Sequence, residues 1–322
     1  MKVVTVGTSN ICELLIDGFK EAGIEVFACV GRDPQKTKEF AKKNGVLYHA
    51  YNYDAVIKSD AFDTVYIALP NSLHYEYGKK ALLAGKNVIM EKPFATNLDQ
   101  AKELVSIANS KQLFIYDANT ALHSMAFKQL KKDISQLGQI RMVDLDFSKY
   151  SSKYDEFLSG ATPNVFNPHY AGGALMDLGI YNIAFTIGLF GLPKAVRYFP
   201  NMQRGIDTSG VAILKYDGFI VSASNGKDAS RGALINIKGE KGCITAYQSA
   251  SVLDEYTIEL NNGEKKVRKF DKIGHYHDEL VDFKSIDEYK NIRKNNEYLT
   301  ITLMCIKVLD DLRKSCGLEF DV

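Results

Sequence analysis

The chain has 322 residues, with 40 lysines and arginines against 39 acidic residues and a formal net charge of +1. Domains commonly run to about 100–200 residues, so two are expected, and the even charge gives no electrostatic reason for a nucleic acid or membrane partner. Hydrophobic residues at 46% and charged residues at 25% exclude a disordered or low-complexity chain and can fill a sizeable core.

Five cysteines, Cys12, Cys29, Cys243, Cys305 and Cys316, form neither a C-x-x-C pair nor a metal-ligand spacing. That pattern of free thiols fits a reducing cytoplasm, which is the expected location. The N-terminus carries one charge and an apolar run that stops at Gly7, which reads as a first strand and not a signal peptide. The longest apolar stretch, residues 172–192, has Asp177 and Asn182 near its middle. Such groups are costly inside a bilayer, so this stretch reads as a buried helix and no membrane partner is expected.

Residues 3–6 form a short β-branched run, and Asn10 opens a helical pattern through Ile11, Leu14, Leu15 and Phe19. Residues 26–30 are a second strand. Asp33-Pro34 starts a helix, with Asp as cap and Pro at the first helical position, and Asn44-Gly45 stops it. Residues 64–69 are another buried run, Asn71 opens a helix ending at Gly85, and residues 87–90 follow as a strand. Asn97 with Gln100 makes a capping-box start for a helix to Ser110, and residues 113–116 close the series. Apolar strands alternating with helices predict an α/β Rossmann domain, a doubly wound parallel sheet covered on both faces. A (β/α) barrel would need about 250 residues of this alternation, and it ends near residue 120.

Beyond that point the period becomes two. Residues 140–147 alternate Val143, Leu145 and Phe147 with Asp144 and Asp146. Residues 211–216 and 219–224 flank Asp217-Gly218, 233–238 and 243–247 flank a Gly-Glu-Lys-Gly turn, and 256–260 and 265–270 flank Asn261-Asn262-Gly263. Helical patterns recur at 173–190, 277–290 and 297–315. An α+β domain with a mostly antiparallel sheet is therefore expected over 120–322, after a dinucleotide-binding domain over 1–119, with the last helix a candidate to pack back on the first domain.

The turn after the first strand, Gly7-Thr8-Ser9-Asn10-Ile11-Cys12, keeps only the first glycine of G-x-G-x-x-G/A. A plain strand-to-helix turn could read the same way. Its position favours phosphate, because it opens the first helix of a parallel sheet. The second strand ends in Gly31-Arg32, with Lys36 a turn later, where an NAD site usually carries an acidic residue. Two cations there suit the 2′-phosphate of NADP, the preferred cofactor; a solvated helix start is the alternative, and Asp33 keeps NAD open.

The fourth and fifth strand ends read Ala68-Leu69-Pro70-Asn71-Ser72-Leu73-His74 and Met90-Glu91-Lys92-Pro93-Phe94. With the first turn, Pro70-Asn71-x-x-His74 and Glu91-Lys92-Pro93 resemble the Gfo/Idh/MocA oxidoreductases, the glucose–fructose oxidoreductase and inositol dehydrogenase family. Residues 171–181, Ala-Gly-Gly-Ala-Leu-Met-Asp-Leu-Gly-Ile-Tyr, and Tyr276-x-x-Glu279-x-x-x-Phe283 extend the resemblance over most of the chain. It implies a Rossmann domain, a C-terminal domain with a large open sheet, and a homodimer or homotetramer built through that sheet. It implies that Gly7, Thr8, Ser9, Asn10, Ile11, Arg32, Lys36, Leu69, Pro70, Asn71, His74, Glu91 and Lys92 hold the dinucleotide. Catalysis falls to Lys92, Tyr181 and Asp177, and the substrate is a sugar, polyol or diol.

The residues read by themselves agree. Lys92 closes a parallel strand, where open α/β sheets bind ligands, and Pro93 restricts it to extended geometry. A solvated charge is the bland alternative. Asp177 and Tyr181 stand four apart on a predicted helix, share a face, and are surrounded by Leu175, Leu178, Ile180 and Ile183. A buried aspartate bonded to backbone at the helix start would satisfy this pattern; a pocket facing Lys92 would also. Asp177 would either keep Lys92 charged or bind a second substrate hydroxyl. Many family members carry histidine where Tyr181 stands, and the tyrosine form resembles the dihydrodiol and aldose dehydrogenases. A non-catalytic nicotinamide-binding regulator and an NAD-assisted glycoside hydrolase are the other classes open to this fold. His275-x-His277-Asp278-Glu279 lacks a metal-site spacing, and no metal is expected; Tyr276 and His277 are placed instead at the mouth of the substrate pocket.

Overall fold

The apolar runs of the first third become strands β1 (Lys2–Val6), β2 (Glu25–Val30), β3 (Tyr48–Ala50), β4 (Thr64–Ile67), β5 (Asn87–Glu91) and β6 (Ile115–Ala118). Between them run helices α1 (Asn10–Glu21), α2 (Pro34–Asn44), α3 (Tyr53–Val56), α4 (His74–Leu83) and α5 (Leu98–Ser110). The computed structural model describes residues 1–271 and 273–320. It divides into two units, Met1–Ala118 with Ile273–Leu303, and Asn119–Lys272 with Met304–Val322.

The first unit is a six-stranded sheet of order β3-β2-β1-β4-β5-β6, parallel throughout. The order reverses between β1 and β4, which opens the crevice where such sheets take ligands. Helix starts follow the sequence. Asp33 caps α2 through the Lys36 N–H, and Asn97 caps α5 through the Gln100 N–H at 2.9 Å. The capping box is only half made, because the Gln100 carbonyl accepts from Thr96 N–H and Oγ1 instead. Asn71 begins a 3-10 turn, Asn71–Leu73, and α4 starts at His74. β3 is three residues long and mostly exposed, so no apolar run announces it.

The second unit holds α6 (Met125–Asp133), β7 (Ile140–Ser148), α7 (Tyr154–Leu158), α8 (Ile180–Phe190), and strands β8 (Ala195–Gln203), β9 (Ile206–Lys215), β10 (Ile220–Gly226), β11 (Gly232–Gly239), β12 (Gly242–Ala246), β13 (Glu255–Leu260) and β14 (Lys265–Lys269). They form one sheet of order β14-β13-β12-β11-β7-β10-β9-β8, antiparallel except where β7 meets β10. Val143, Leu145, Val221, Ala223, Ile235 and Ile237 are buried on one face. β8 is an edge strand whose burial alternates over residues 195–201, but exposed Phe199 and internal Pro200 break the apolar–polar alternation of its sequence. The apolar segment Pro168–Phe190 is long and apolar enough to cross a membrane, yet Ile183, Ala184, Phe185 and Ile187 lie buried in the core of this unit.

The last helices are α9 (His277–Glu288) and α10 (Ile292–Lys314). Leu280, Phe283 and Ile286 of α9 join Leu15, Phe19, Tyr66 and Tyr116 in one core cluster of the first unit. Tyr276 packs at the edge of that cluster, with its Cβ close to Gly18 of α1.

Candidate active site

In the first unit the site is made at the carboxyl ends of β1, β4 and β5. Gly7 has φ +125°, and a Cβ there would lie 2.4 Å from the Ala68 carbonyl oxygen and 3.0 Å from Cys12 Sγ. Only glycine lets the β1 and β4 ends approach so closely. Cys12, standing where the fingerprint has its last glycine or alanine, is buried, with Sγ 3.5 Å from Ser9 Oγ. Thr8, Ser9, Asn10 and Ile11 are exposed around the first turn of α1, which no side chain caps. These orphan N–H groups and the helix dipole are the elements that hold a pyrophosphate.

Gly31 brings the end of β2 against this turn, since a Cβ would meet Thr37 Oγ1 at 2.2 Å and Thr8 Cγ2 at 2.9 Å. Arg32 and Lys36 are both exposed beyond it. Asp33 spends one carboxylate oxygen on the cap of α2. The donor set at this strand end therefore fits a phosphate better than a ribose hydroxyl.

Leu69, Pro70 and Asn71 are partly exposed after β4. His74 is fully buried, and its Nδ1 and Nε2 lie 2.8 Å from the carbonyl oxygens of Pro93 and Leu69. Both ring nitrogens are thus engaged by backbone, and His74 ties the β4 loop to the β5 loop instead of presenting its ring to a dinucleotide. Burial pulls its pKa down, against the two carbonyls. Glu91 is likewise buried: one oxygen accepts from Tyr66 OH at 2.7 Å and the other from the Lys92 N–H at 3.1 Å. Lys92 itself is partly exposed, and its peptide bond to Pro93 is cis.

Behind Glu91 lie two more carboxyls that the sequence did not single out for chemistry. Asp117 of β6 accepts from Thr302 Oγ1 at 3.0 Å, and its other oxygen has no hydrogen-bond partner among the described residues. Both oxygens of Glu279 are also buried and unpartnered among them. Burial raises Asp117 to about 7 and Glu279 well above the carboxylate range, and Glu91 pushes both in the same direction.

In the second unit, Asp177 and Tyr181 do not lie on one regular α-helix. Leu175–Gly179 forms a π-turn, and Tyr181 stands in the first turn of α8 beyond it. Such turns widen a helix locally and recur at functional sites. Its geometry is set by Gly173, at φ +102°, where a Cβ would strike Asp207 Oδ1 at 2.0 Å. Asp207 Oδ2 in turn accepts from Leu175 N–H at 2.7 Å and Tyr198 OH at 2.9 Å. Burial raises the Asp207 pKa to about 6. Tyr181 is partly exposed, its ring 5.7 Å from that of Phe147.

Asp177 has a partner that sequence reasoning missed. Lys227, just past β10, places Nζ 2.5 Å from Asp177 Oδ2. A lysine after Ser-Asn-Gly looks like a surface turn, and only the fold reveals it as buried. His277 Nδ1 lies 3.3 Å from Asp278, and His275 packs edge-on to Tyr276, all in the first unit.

Residues 1–117 match the model of an oxidoreductase family with an NAD-binding Rossmann fold, and residues 127–245 match the GFO/IDH/MocA C-terminal domain. A scyllo-inositol 2-dehydrogenase (NADP(+)) from Bacillus subtilis strain 168 is 35% identical over 248 residues, 76% of this chain and 75% of that protein. The human trans-1,2-dihydrobenzene-1,2-diol dehydrogenase is 30% identical over 199 residues, 60% of this chain and 57% of that one. A 3-ketoreductase from Actinomadura kijaniata, solved with NADP and TDP-benzene, superposes with a TM-score of 0.81 at 23% identity, covering 98% of this chain and 97% of its own. A levoglucosan dehydrogenase in complex with NADH and levoglucosan gives 0.82 at 17% identity, with the same coverage.

Proposed function

Because the chain belongs to the Gfo/Idh/MocA family of nicotinamide-dependent oxidoreductases, we propose that it moves hydride between NADP(H), in preference to NAD(H), and a hydroxyl- or carbonyl-bearing carbon of a sugar, polyol or diol. The observation that carries this reading is the joint retention of Lys92 at the mouth of β5 and of Asp177 and Tyr181 around the π-turn, in a chain that matches both family domains. The B. subtilis polyol dehydrogenase and the human diol dehydrogenase support the substrate class.

When bound, the dinucleotide supplies the hydride-accepting or hydride-donating carbon; the protein supplies binding, orientation and a proton path. The N–H groups of residues 8–11 would hold the pyrophosphate beside Gly7, whose own N–H is bonded to the Val30 carbonyl; Leu69, Pro70 and Asn71 would line the crevice, and Arg32 with Lys36 would hold the 2′-phosphate. His74 and Glu91 act one step back, fixing the loops that carry Asn71 and Lys92. Lys92 orients and polarises the reacting oxygen. Tyr181 gives or takes its proton. A phenol with its ordinary pKa near 10 is too weak an acid for this at neutral pH without a cation to stabilise the phenolate.

The exposed face of the sheet of the second unit supports a homo-oligomer, dimer or tetramer, and the free cysteines fit a reducing cytoplasm. Phe199, Met142 and Ile220 are exposed on the face opposite its core. The domain division proposed is a dinucleotide-binding part, 1–119, followed by a substrate-binding part. Screening inositols, sugars and vicinal diols for change at the nicotinamide absorbance band, with each cofactor, tests the reaction. Turnover of a polyol or sugar with NADP(H) is the expected result; activity confined to substrates without hydroxyl or carbonyl carbons would overturn it.

A further inference from the structure

We propose that Lys227 is a positioning residue of the substrate site, holding the Asp177 carboxylate in place as the acceptor for a second substrate hydroxyl. This rests on the oxidoreductase reading above and narrows its substrate to compounds with at least two hydroxyl-bearing carbons.

The lysine side chain is 3% exposed, whereas the Asp177 side chain is 30% exposed. A buried ammonium is tolerated only when paired and hydrogen-bonded. Here Nζ donates to Asp177 Oδ2 at 2.5 Å and to the Val165 carbonyl at 3.3 Å, and it stands 4.9 Å over the ring of Phe166. The backbone is fixed on both sides, since the Lys227 N–H donates to Thr208 O at 2.8 Å and its carbonyl accepts from Ser151 N–H at 2.9 Å. The cation is thus anchored inside the unit and the carboxylate is carried at its edge. That asymmetry is unlike a surface ion pair, where both partners remain in water.

The pairing decides what Asp177 can do. An ionised carboxylate accepts hydrogen bonds and donates none, and it offers about four lone-pair directions, of which the lysine takes one. At the exposed edge of the unit such a carboxylate can accept from an O–H donor. Tyr181 follows four residues later, just past the π-turn that carries Asp177, so a ligand whose reacting oxygen is served by Tyr181 can present a neighbouring hydroxyl to Asp177. A site built to accept a substrate hydroxyl discriminates strongly against the analogue that lacks it.

The test compares wild type, Lys227→Met, Lys227→Arg, Asp177→Asn and the Lys227→Met/Asp177→Asn double variant, using the polyol that wild type turns over best and its analogue lacking the adjacent hydroxyl. Lys227→Met should raise KM for the polyol by about 10–100-fold, with a smaller loss in kcat and unchanged NADPH affinity. Its KM for the deoxy analogue should hardly change. Lys227→Arg should recover most of the loss, and the double variant should be no worse than Lys227→Met alone, as expected for residues acting as a pair. Lys227→Gln, which keeps a donor without charge, carries the same expectation and replaces Lys227→Met if that variant fails to fold. A wild-type KM in the folded methionine or glutamine variant, an equal loss on polyol and deoxy analogue, or additive losses in the double variant would each overturn the proposal alone. A wild-type enzyme that turns over no polyol, diol or sugar overturns it together with the reading of the reaction.

Discussion

Replacing Asp117 by asparagine should make the protein more stable in mildly alkaline solution and flatten its dependence on pH. Asp117 lies in β6 with one oxygen bonded by Thr302 and the other shielded and unpartnered among the described residues. Burial, reinforced by Glu91, moves its pKa from 3.8 to about 7. Because the folded value is the higher one, the folded protein keeps a proton between these pH values that the unfolded chain has released. The stabilising contribution is complete below about 3.8 and is lost as the pH rises through about 7. The gap corresponds to roughly 4 kcal/mol if fully realised, and about 2 kcal/mol is a better expectation for a residue that is not entirely enclosed. Glu279, raised for the same reason, adds a loss of the same sign. Asparagine can still accept from Thr302, and its amide can donate toward the neighbouring carboxylates. Urea unfolding at pH 5 and pH 8 reads the effect. Wild type should lose stability across this interval, and Asp117→Asn should lose about 2 kcal/mol less. Equal losses in the two proteins would refute the assignment of a neutral, buried carboxyl.

The parts of this fold that were legible in sequence are those whose signal is local. The parallel sheet follows from apolar runs separated by capped helices, and the Asp33 and Asn97 caps occur where the residues called for them. The hairpin of β9 and β10 follows from Asp217-Gly218, with Gly218 at φ +87°. Strand β3 was hidden because it is short and mostly exposed, and β8 because an exposed Phe199 stands next to buried Tyr198 and masks its period-two burial. The same limit applies to the site. Gly7, Lys92 and Tyr181 carry motifs, whereas Lys227 and Asp117 matter through burial and through partners distant in the chain, and Glu279, although part of a motif, matters through burial. The π-turn at Leu175–Gly179 shows the point most directly: a helical period places Asp177 and Tyr181 on one face, but the turn depends on Asp207, thirty-two residues after Leu175, accepting from the Leu175 N–H.

Arg32→Ala should weaken NADPH binding by about 10–100-fold and leave NADH binding nearly unchanged, because only the 2′-phosphate loses a charge-assisted bond. Fluorescence titration of both cofactors measures this, and equal affinities untouched by the substitution would count against the NADP preference. The proton path predicts that Tyr181→Phe lowers kcat by about 10²–10⁴ with cofactor affinity retained, the range for loss of general acid–base catalysis. Phenylalanine keeps the ring that packs 5.7 Å from Phe147, so the loss would report the hydroxyl and not the fold. Lys92→Met should cost at least as much, since the proposed reaction uses this lysine to orient and polarise the reacting oxygen. If the two residues serve one proton transfer, the double variant should be little worse than Lys92→Met, because groups that act as a unit are far from additive. Near wild-type turnover in Tyr181→Phe would place the proton elsewhere. Fully additive losses would show that the lysine and the tyrosine act in separate steps, and the pH profile of kcat would then keep its upper limb in the phenylalanine variant.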